Sequence, residues 1–269
     1  MEAAAATAPP TRHWRLARAS GLGIVLLLAG FQLVPQTLNP GLLLAAQAAG
    51  TSTLLTLVSV LWAALGTRPV VERLGLGPGR AGIGLVLLLA LGLLGLSHAV
   101  DRLIHLLDLR SASHLARLDA AIGGDLERSW TWILLGLGLF PGFGEEIFFR
   151  GCVQRGLHRW LGRLGAIVLT SLFFGAFHGD WVHGVGAFFL GLYLGTVAEL
   201  CGGTRPAIAC HVLNNLGAVG GMALPLVPDL RPELLAALGI GLAALALGVA
   251  AAWLRVAPDL QGAPPAADP

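Results

Sequence analysis

The sequence has little charge and no lysine. Of its 269 residues, 12% are charged and 55% are hydrophobic, and its mean hydropathy is +0.77. A soluble core of this size could not bury so much apolar surface, which excludes an ordinary soluble fold and makes lipid the solvent for most of the chain. All 17 basic residues are arginine, a composition that favours a bacterial source.

The sequence also lacks the features of a nucleic-acid-binding protein or a cysteine-based metal protein. Its formal net charge of +2 and its isoelectric point near 8.7 are too low to indicate a nucleic-acid partner. Its three cysteines, Cys152, Cys201 and Cys210, have no CxxC or other metal-ligand spacing. We therefore interpret them as buried free thiols.

What the sequence contains is a succession of long apolar segments. A helix needs about 20 apolar residues to cross the hydrocarbon of a bilayer. Eight segments qualify, so we predict an all-α polytopic membrane protein, a bundle of about eight transmembrane helices. The segments lie near residues 19–36, 41–66, 81–100, 130–154, 163–178, 183–201, 205–223 and 232–255.

Short connections between the segments indicate one transmembrane domain, over residues 19–255. It is preceded by an N-terminal arm, 1–18, and followed by a Pro/Ala-rich tail, 256–269. The mixed stretch 101–128 fits an interfacial helix better than a span. The arginines of the arm, of the loop after the second span and of the turn at 155–163 fall on one side if eight spans alternate. Because basic loops stay in the cytoplasm, we expect both termini to be cytoplasmic, at a bacterial plasma membrane.

Three of the later spans carry polar side chains that are costly in lipid, since an ionisable group at the bilayer centre costs about 2.5–3.5 kcal/mol. These residues are Glu145, Glu146 and Arg150 in the fourth span, His178 at the end of the fifth, and His211 and Asn215 in the seventh. If the fourth and fifth spans form a hairpin that turns near 161–162, Glu145 and His178 lie at one depth. All three groups can then meet in an intramembrane polar cavity.

Each of these groups also has a purely structural interpretation. Glu146 and Arg150 are four residues apart and can form an ion pair that fixes helix packing, whereas Glu145 points about 100° away from that pair. A single histidine in a span can simply bond to a carbonyl. Asn214 faces another side from Asn215 and is interpreted as a helix–helix contact. The joint occurrence of all three groups favours a functional site.

Together these residues resemble the CAAX-protease and bacteriocin-processing family of intramembrane endopeptidases, which includes the type II CAAX prenyl endopeptidase. The family has three motifs in order, EExxxR, FxxxH and HxxxN. They are matched by Glu145, Glu146 and Arg150, by Phe174 and His178, and by His211 and Asn215. The resemblance covers about residues 130–222.

The resemblance implies an enzyme that hydrolyses a peptide bond of a membrane-associated protein or peptide. In such an enzyme Glu145 would be the general base that activates a water molecule, and His178 would hold or protonate the same water. His211 and Asn215 would stabilise the oxyanion of the tetrahedral intermediate. The expected partners are the lipid bilayer and a peptide or membrane-protein substrate.

The sequence leaves a metal requirement open. With or without a metal, Glu146 and Arg150 would form a supporting pair. Glu145, His178 and His211 would also suit a divalent metal such as zinc, with a water molecule as the fourth ligand. No HExxH pattern is present, which favours metal-free chemistry and no cofactor.

Two other functions remain open from the sequence. The first is a catalytically silent member of the family that acts as an immunity or scaffold protein, which intact motifs argue against. The second is a proton-coupled or ion-coupled transporter, in which buried Glu, His and Asn side chains would form the path. The concentration of polar residues in three spans argues against it.

Overall fold

The computed structural model describes residues 39–223 and 231–256, with the backbone alone at 123–128, 222–223 and 256. All regular secondary structure in these ranges is helical. The predicted first span, the N-terminal arm and nearly all of the tail lie outside the described residues. The expected all-α fold is therefore confirmed for the part of the chain that the structure describes.

Nine α-helices succeed one another in the described ranges. They are α1 (Pro40–Ala64), α2 (Val70–Arg73), α3 (Ile83–Leu106), α4 (Leu115–Ile133), α5 (Phe140–Glu146), α6 (Arg155–Phe177), α7 (Trp181–Cys201), α8 (Thr204–Ala223) and α9 (Pro232–Val256). Two π-helical stretches, Leu134–Leu139 and Ile147–Gln154, join α4 to α5 and α5 to α6. A short 3₁₀ turn, Arg110–Ala112, precedes α4.

Five helical runs of the described chain are long and apolar enough to cross a membrane. They are Pro40–Ala64, Ile83–Leu106, Ser129–Phe177, Trp181–Cys201 and Pro232–Arg255. The run Ser129–Phe177 contains two of the predicted spans. Helix α8 is not among the five, because its arginine, histidine and asparagines lower its hydropathy. These runs identify an integral membrane protein, while the count of about eight spans stays a prediction.

The stretch 101–128 contains the end of α3, a turn and the first part of α4, and its placement at the membrane interface stays a prediction. Helix α3 continues to Leu106, and α4 begins at Leu115 and runs into the fourth span. Four charged residues of this stretch, Asp101, Arg102, Arg110 and Asp119, are paired with one another. Arg110 donates hydrogen bonds to the carboxylates of Asp101, over 2.6 Å, and of Asp119. Because these charges are paired, α3 can continue past them, and the intervening turn is fixed.

A helix break at Gly162 creates the hairpin predicted from the sequence. Gly162 has φ 65° and ψ −176°, a conformation that glycine adopts without steric cost, and it separates the two arms of the Ser129–Phe177 run. The arms lie side by side and antiparallel. The ring centroid of Phe149 is 5.1 Å from that of Phe174 and 5.6 Å from that of Phe177.

Helix α5 is held between α1 and α8 by close backbone contact. A Cβ atom added at Gly144 would lie 2.3 Å from the carbonyl oxygen of Ser52 in α1. A Cβ atom at Gly142 would lie 2.7 Å from the backbone nitrogen of Val212 in α8. Neither position accommodates a side chain, so the glycines bring the carboxylates of α5 close to the polar face of α8.

Helix α7 has sequence-encoded ends that place it beside the second arm of the hairpin. The carboxylate of Asp180 accepts a hydrogen bond from the backbone nitrogen of His183 over 2.8 Å and so caps the N-terminus. Gly202 ends the helix in the left-handed conformation, with φ 71°. Cys201 and Cys210 are buried free thiols as predicted, and Cys152 is half-buried.

Candidate active site

The first motif forms a buried ion pair at the junction of α5 and the following π-helical stretch. Glu146 and Arg150 are 0% and 1% exposed, and the Nη1 atom of Arg150 donates a 2.8 Å hydrogen bond to Oε1 of Glu146. The Nη2 atom of Arg150 donates to the carbonyl oxygen of Gly191 in α7, over 2.9 Å. The pairing expected from the i, i+4 spacing is present, and it also fastens α7.

Glu146 joins the first motif to the third. Its Oε1 atom lies 2.8 Å from Nδ1 of His211 in α8, a residue that is 7% exposed. The other oxygen, Oε2, is buried without a hydrogen-bond partner in the described structure. The sequence predicted that the groups containing Glu146 and His211 could meet, but as the direct partner of Glu146 it indicated only Arg150.

Phe174 lies where the three motifs meet. The centre of its ring is 4.7 Å from Cζ of Arg150, a cation–π distance. The same ring is in edge contact with His178, at a centroid distance of 5.0 Å, and with His211, at 5.9 Å. The phenylalanine of the FxxxH motif is therefore the shared apolar wall between the guanidinium and both histidines.

His178 is oriented by its own helix. Its Nδ1 atom lies 2.8 Å from the carbonyl oxygen of Phe174. A carbonyl only accepts hydrogen bonds, so Nδ1 carries the proton, and Nε2 of the neutral ring presents a lone pair. This tautomer lets the ring hold a water molecule or accept a proton from it.

His183 is a neighbour of the site that the sequence reading missed. Its ring centroid lies 4.4 Å from that of His178, and its position is set by the cap that Asp180 makes at the start of α7. Asp180 also accepts hydrogen bonds from Ser113 Oγ, over 2.8 Å, and from the backbone nitrogen of His114. The sequence feature that could have indicated His183 is its position five residues after the FxxxH motif, just past a capping aspartate.

Glu145 stands beside the ion pair without joining it. The side chain is half-buried and makes no hydrogen bond with any described residue, as expected from its direction on α5. Its carboxylate interacts electrostatically with His211, Glu146 and Arg150. His178 likewise interacts with His211 and Arg150. Both side chains therefore lie within electrostatic range of His211 and Arg150.

The third motif supplies an amide next to this cluster. Asn215 lies one helical turn beyond His211, and its Oδ1 atom accepts a long hydrogen bond, 3.4 Å, from Nδ2 of Asn214. The Nδ2 group of Asn215 has no acceptor among the described residues. Asn214 is buried and its own Oδ1 lacks a partner in the described structure, which fits a residue at a helix contact.

The segment that contains these motifs also matches a known protein family. Residues 127–217 match the family model described as "Type II CAAX prenyl endopeptidase Rce1-like". The resemblance inferred from the three motifs is confirmed. All six predicted site residues lie in this Rce1-like segment, while α1 to α3 and α9 lie outside the match. No curated protein and no solved structure matches the chain.

The π-helical stretches of the Rce1-like segment flank the two carboxylates. Helix α5, which carries Glu145 and Glu146, is a seven-residue α-helix between Leu134–Leu139 and Ile147–Gln154. A π-helical turn inserts an extra residue per turn and rotates the side chains on its C-terminal side, a feature often found at functional sites. Here it accompanies the inward placement of Arg150.

The described residues contain no group of three His, Cys, Asp or Glu side chains arranged to hold a metal ion. The trio Glu145, His178 and His211 is not such a group in this geometry. Nδ1 of His211 faces Glu146 and Nδ1 of His178 faces a carbonyl, so Nε2 is the nitrogen that each ring could offer to a metal ion. We derive no step through a metal.

A cavity of about 730 Å³, lined by seven arginines, reaches into the Rce1-like segment. Its walls include Arg150 and Gln154, but not Glu145, His178 or His211. The polar cavity expected around those three residues stays a prediction.

Proposed function

We propose that the protein is an intramembrane endopeptidase that hydrolyses a peptide bond of a membrane-associated protein or peptide. The family match supports a peptidase at family level. The observation that carries the proposal is the convergence of three motifs on one buried ion pair, with Glu145 beside that pair and outside its hydrogen bonds.

In the proposed reaction Glu145 is the general base. It removes a proton from a water molecule as the water oxygen attacks the carbonyl carbon of the scissile amide. His178, with its lone pair at Nε2, positions the same water. The proton then passes to the amide nitrogen as the carbon–nitrogen bond breaks, which leaves a new carboxyl group and a new amine.

The oxyanion of the tetrahedral intermediate needs fixed donors. In neutral His211 the Nδ1–H group donates a hydrogen bond to Glu146, so Nε2 carries only a lone pair. Nε2 can donate to the oxyanion only when the ring is protonated to the imidazolium. Asn215 is a donor in every protonation state. We therefore assign the main oxyanion contact to the Nδ2 group of Asn215, with Glu146 and Arg150 as the pair that positions His211.

The test is cleavage of a membrane-peptide library by the detergent-purified protein and by Glu145→Gln and His178→Ala variants. Glu233→Gln, at an exposed position of α9, is the matched control. We expect wild type and Glu233→Gln to cleave alike and both site variants to lose activity by about 10³-fold or more while remaining inserted.

Each assay is run with and without a chelator. Full activity in Glu145→Gln would contradict the assignment of the base, and a wild-type protein without any cleavage would favour the silent-scaffold function. Loss of activity with the chelator, restored by zinc, would assign a metal to the reaction.

A further inference from the structure

We propose that the arginine-lined cavity binds the phosphate group of an anionic phospholipid. The cavity lies between the loop after α1, the start of α6 and the turn from α7 to α8. Seven arginines and two glutamates line it, a formal charge of +5 with histidine neutral, or +4 once Arg150 is counted with Glu146. Guanidinium groups give phosphate oxygens strong charge-assisted hydrogen bonds.

Backbone carbonyls, which carry no charge, hold Arg80 and Arg155 in place. Arg80 donates to the carbonyl oxygen of Leu200, over 3.0 Å, at the end of α7. Arg155 donates to the carbonyl oxygens of Arg73 and Glu72, over 3.2 and 3.3 Å. A carbonyl orients a guanidinium without neutralising it, so the cavity keeps a positive field that an anion can neutralise.

The cavity's central carboxylate, Glu199, is loosely engaged. Its Oε1 atom accepts a long hydrogen bond, 3.4 Å, from Nε2 of Gln154. The carboxylate lies 3.8 Å from Nε of Arg163 and 3.8 Å from Nδ1 of His158, both beyond hydrogen-bond distance. The side chain of Arg163 is 80% exposed, and Arg159 is exposed as well. Arg163 can therefore turn to a ligand at little cost in existing contacts.

Apolar side chains next to these arginines favour a phospholipid over a soluble phosphate as the ligand. Trp160 and Leu164, which alternate with Arg159 and Arg163 around the helix break, are 68% and 75% exposed. Arg159 stacks on the Trp160 ring at 5.2 Å. Indole rings favour the headgroup level of a bilayer. This turn of the chain thus presents cationic side chains to a lipid headgroup and apolar side chains to its acyl chains. Basic pockets between membrane helices bind anionic headgroups.

The probe is phosphatidylglycerol, with phosphatidylcholine and glycerol 3-phosphate as comparisons, titrated into the full-length protein and followed by native mass spectrometry. We expect tighter binding of phosphatidylglycerol than of either comparison. The Arg159→Gln/Arg163→Gln double variant should weaken it by roughly 30-fold, about 5-fold per arginine. The matched control is Arg117→Gln/Arg231→Gln, which removes two exposed arginines outside the cavity walls.

A variant with the opposite expected sign guards against misfolding as an explanation. Glu199→Gln removes negative charge from the cavity and should tighten phosphatidylglycerol binding by roughly 5-fold. Equal weakening in both double variants, or no preference of the wild type for phosphatidylglycerol, would overturn the proposal. Glycerol 3-phosphate that binds as tightly as the lipid would overturn the lipid as the source of the phosphate. The proposal is independent of the proposed hydrolysis.

Discussion

The Rce1-like segment and the pair formed by α3 and α9 use the membrane in opposite ways. Helices α3 and α9 pack through small and aliphatic residues, and a Cβ added at Gly239 would lie 2.1 Å from the carbonyl oxygen of Gly95. Their buried residues are apolar or glycine in the described part of both helices. The Rce1-like segment buries Glu146, Arg150 and His211 instead.

The difference shows what each region requires from its neighbours. Apolar helices in lipid gain packing when they associate, and each is tolerated alone. A buried ion pair is tolerated only while every partner is in place, because removal of one leaves an uncompensated charge. The family match follows the same division, because residues 127–217 contain the buried ion pair and His211, whereas α3 and α9 lie outside them.

The largest effect on stability should come from breaking the ion pair. Glu146→Gln leaves Arg150 buried without its carboxylate and should lower the free energy of unfolding by about 3–5 kcal/mol. Glu233→Gln makes the same chemical change at an exposed site of α9 and should stay within about 0.5 kcal/mol of wild type. Unfolding by SDS in mixed micelles measures both. Equal losses would mean that the two regions do not differ in this way.

Within the polar region, Asn215→Ala should separate catalysis from packing. Loss of an oxyanion donor should lower kcat by on the order of 10²–10³ with little change in stability. Asn214→Ala removes the adjacent buried amide, which packs between helices, and should lower kcat less than tenfold. Peptide cleavage and SDS unfolding are measured on both. A larger kcat loss in Asn214→Ala would reverse the assignment.

Glycine-to-alanine changes should have opposite signs in the two regions. Gly144→Ala would place a Cβ 2.3 Å from the backbone of α1 and should destabilise the protein by about 1–3 kcal/mol. Gly248→Ala in α9 meets nothing within 4 Å and should stabilise by about 0.5–1 kcal/mol through helix propensity. Thermal unfolding in detergent would show the two shifts, and a stabilising Gly144→Ala would contradict the tight packing of α5.

The smallest effect concerns Asp180, at the edge of the polar region. Burial raises the pKa of this carboxyl, but hydrogen bonds from His183, Ser113 and His114 outweigh it and hold the pKa at about 2. A depressed folded-state pKa stabilises the protein above the unfolded value, about 3.9, and this contribution disappears as pH falls toward 2.

Asp180→Ala should therefore cost about 1 kcal/mol near neutral pH, as expected for a lost helix cap. Between pH 4 and pH 2 the difference from wild type should shrink. A pH titration of thermal stability for both proteins measures this, with Glu233→Gln as the control. A difference that stays constant down to pH 2 would argue against the cap.

The sequence predicted the parts of the molecule that depend on local spacing. Alternation of apolar segments located the helices, the i, i+4 spacing paired Glu146 with Arg150, and Gly162 lay where the hairpin was expected. The pairing of Arg110 with Asp101 and Asp119 was not predicted, because it joins helices on either side of a turn.

The parts that were missed depend on contacts between distant residues. Nothing in a periodic pattern indicates that Glu146 meets His211, or that Phe174 contacts both histidines. The position of His183 depends on the cap made by Asp180, and the arginine-lined cavity depends on the approach of three separate connections. Such contacts are properties of the packed chain.

The double engagement of Glu146 has a consequence for how the protein is made. Its contact with Arg150 lies within one stretch of helix, so it can form as soon as this stretch leaves the ribosome and can present a nearly neutral segment to the insertion machinery. Its contact with His211 must wait for 65 further residues, until α8 arrives. Biogenesis therefore separates a self-neutralised precursor from the assembled cluster, which can form only after α8 has been synthesised.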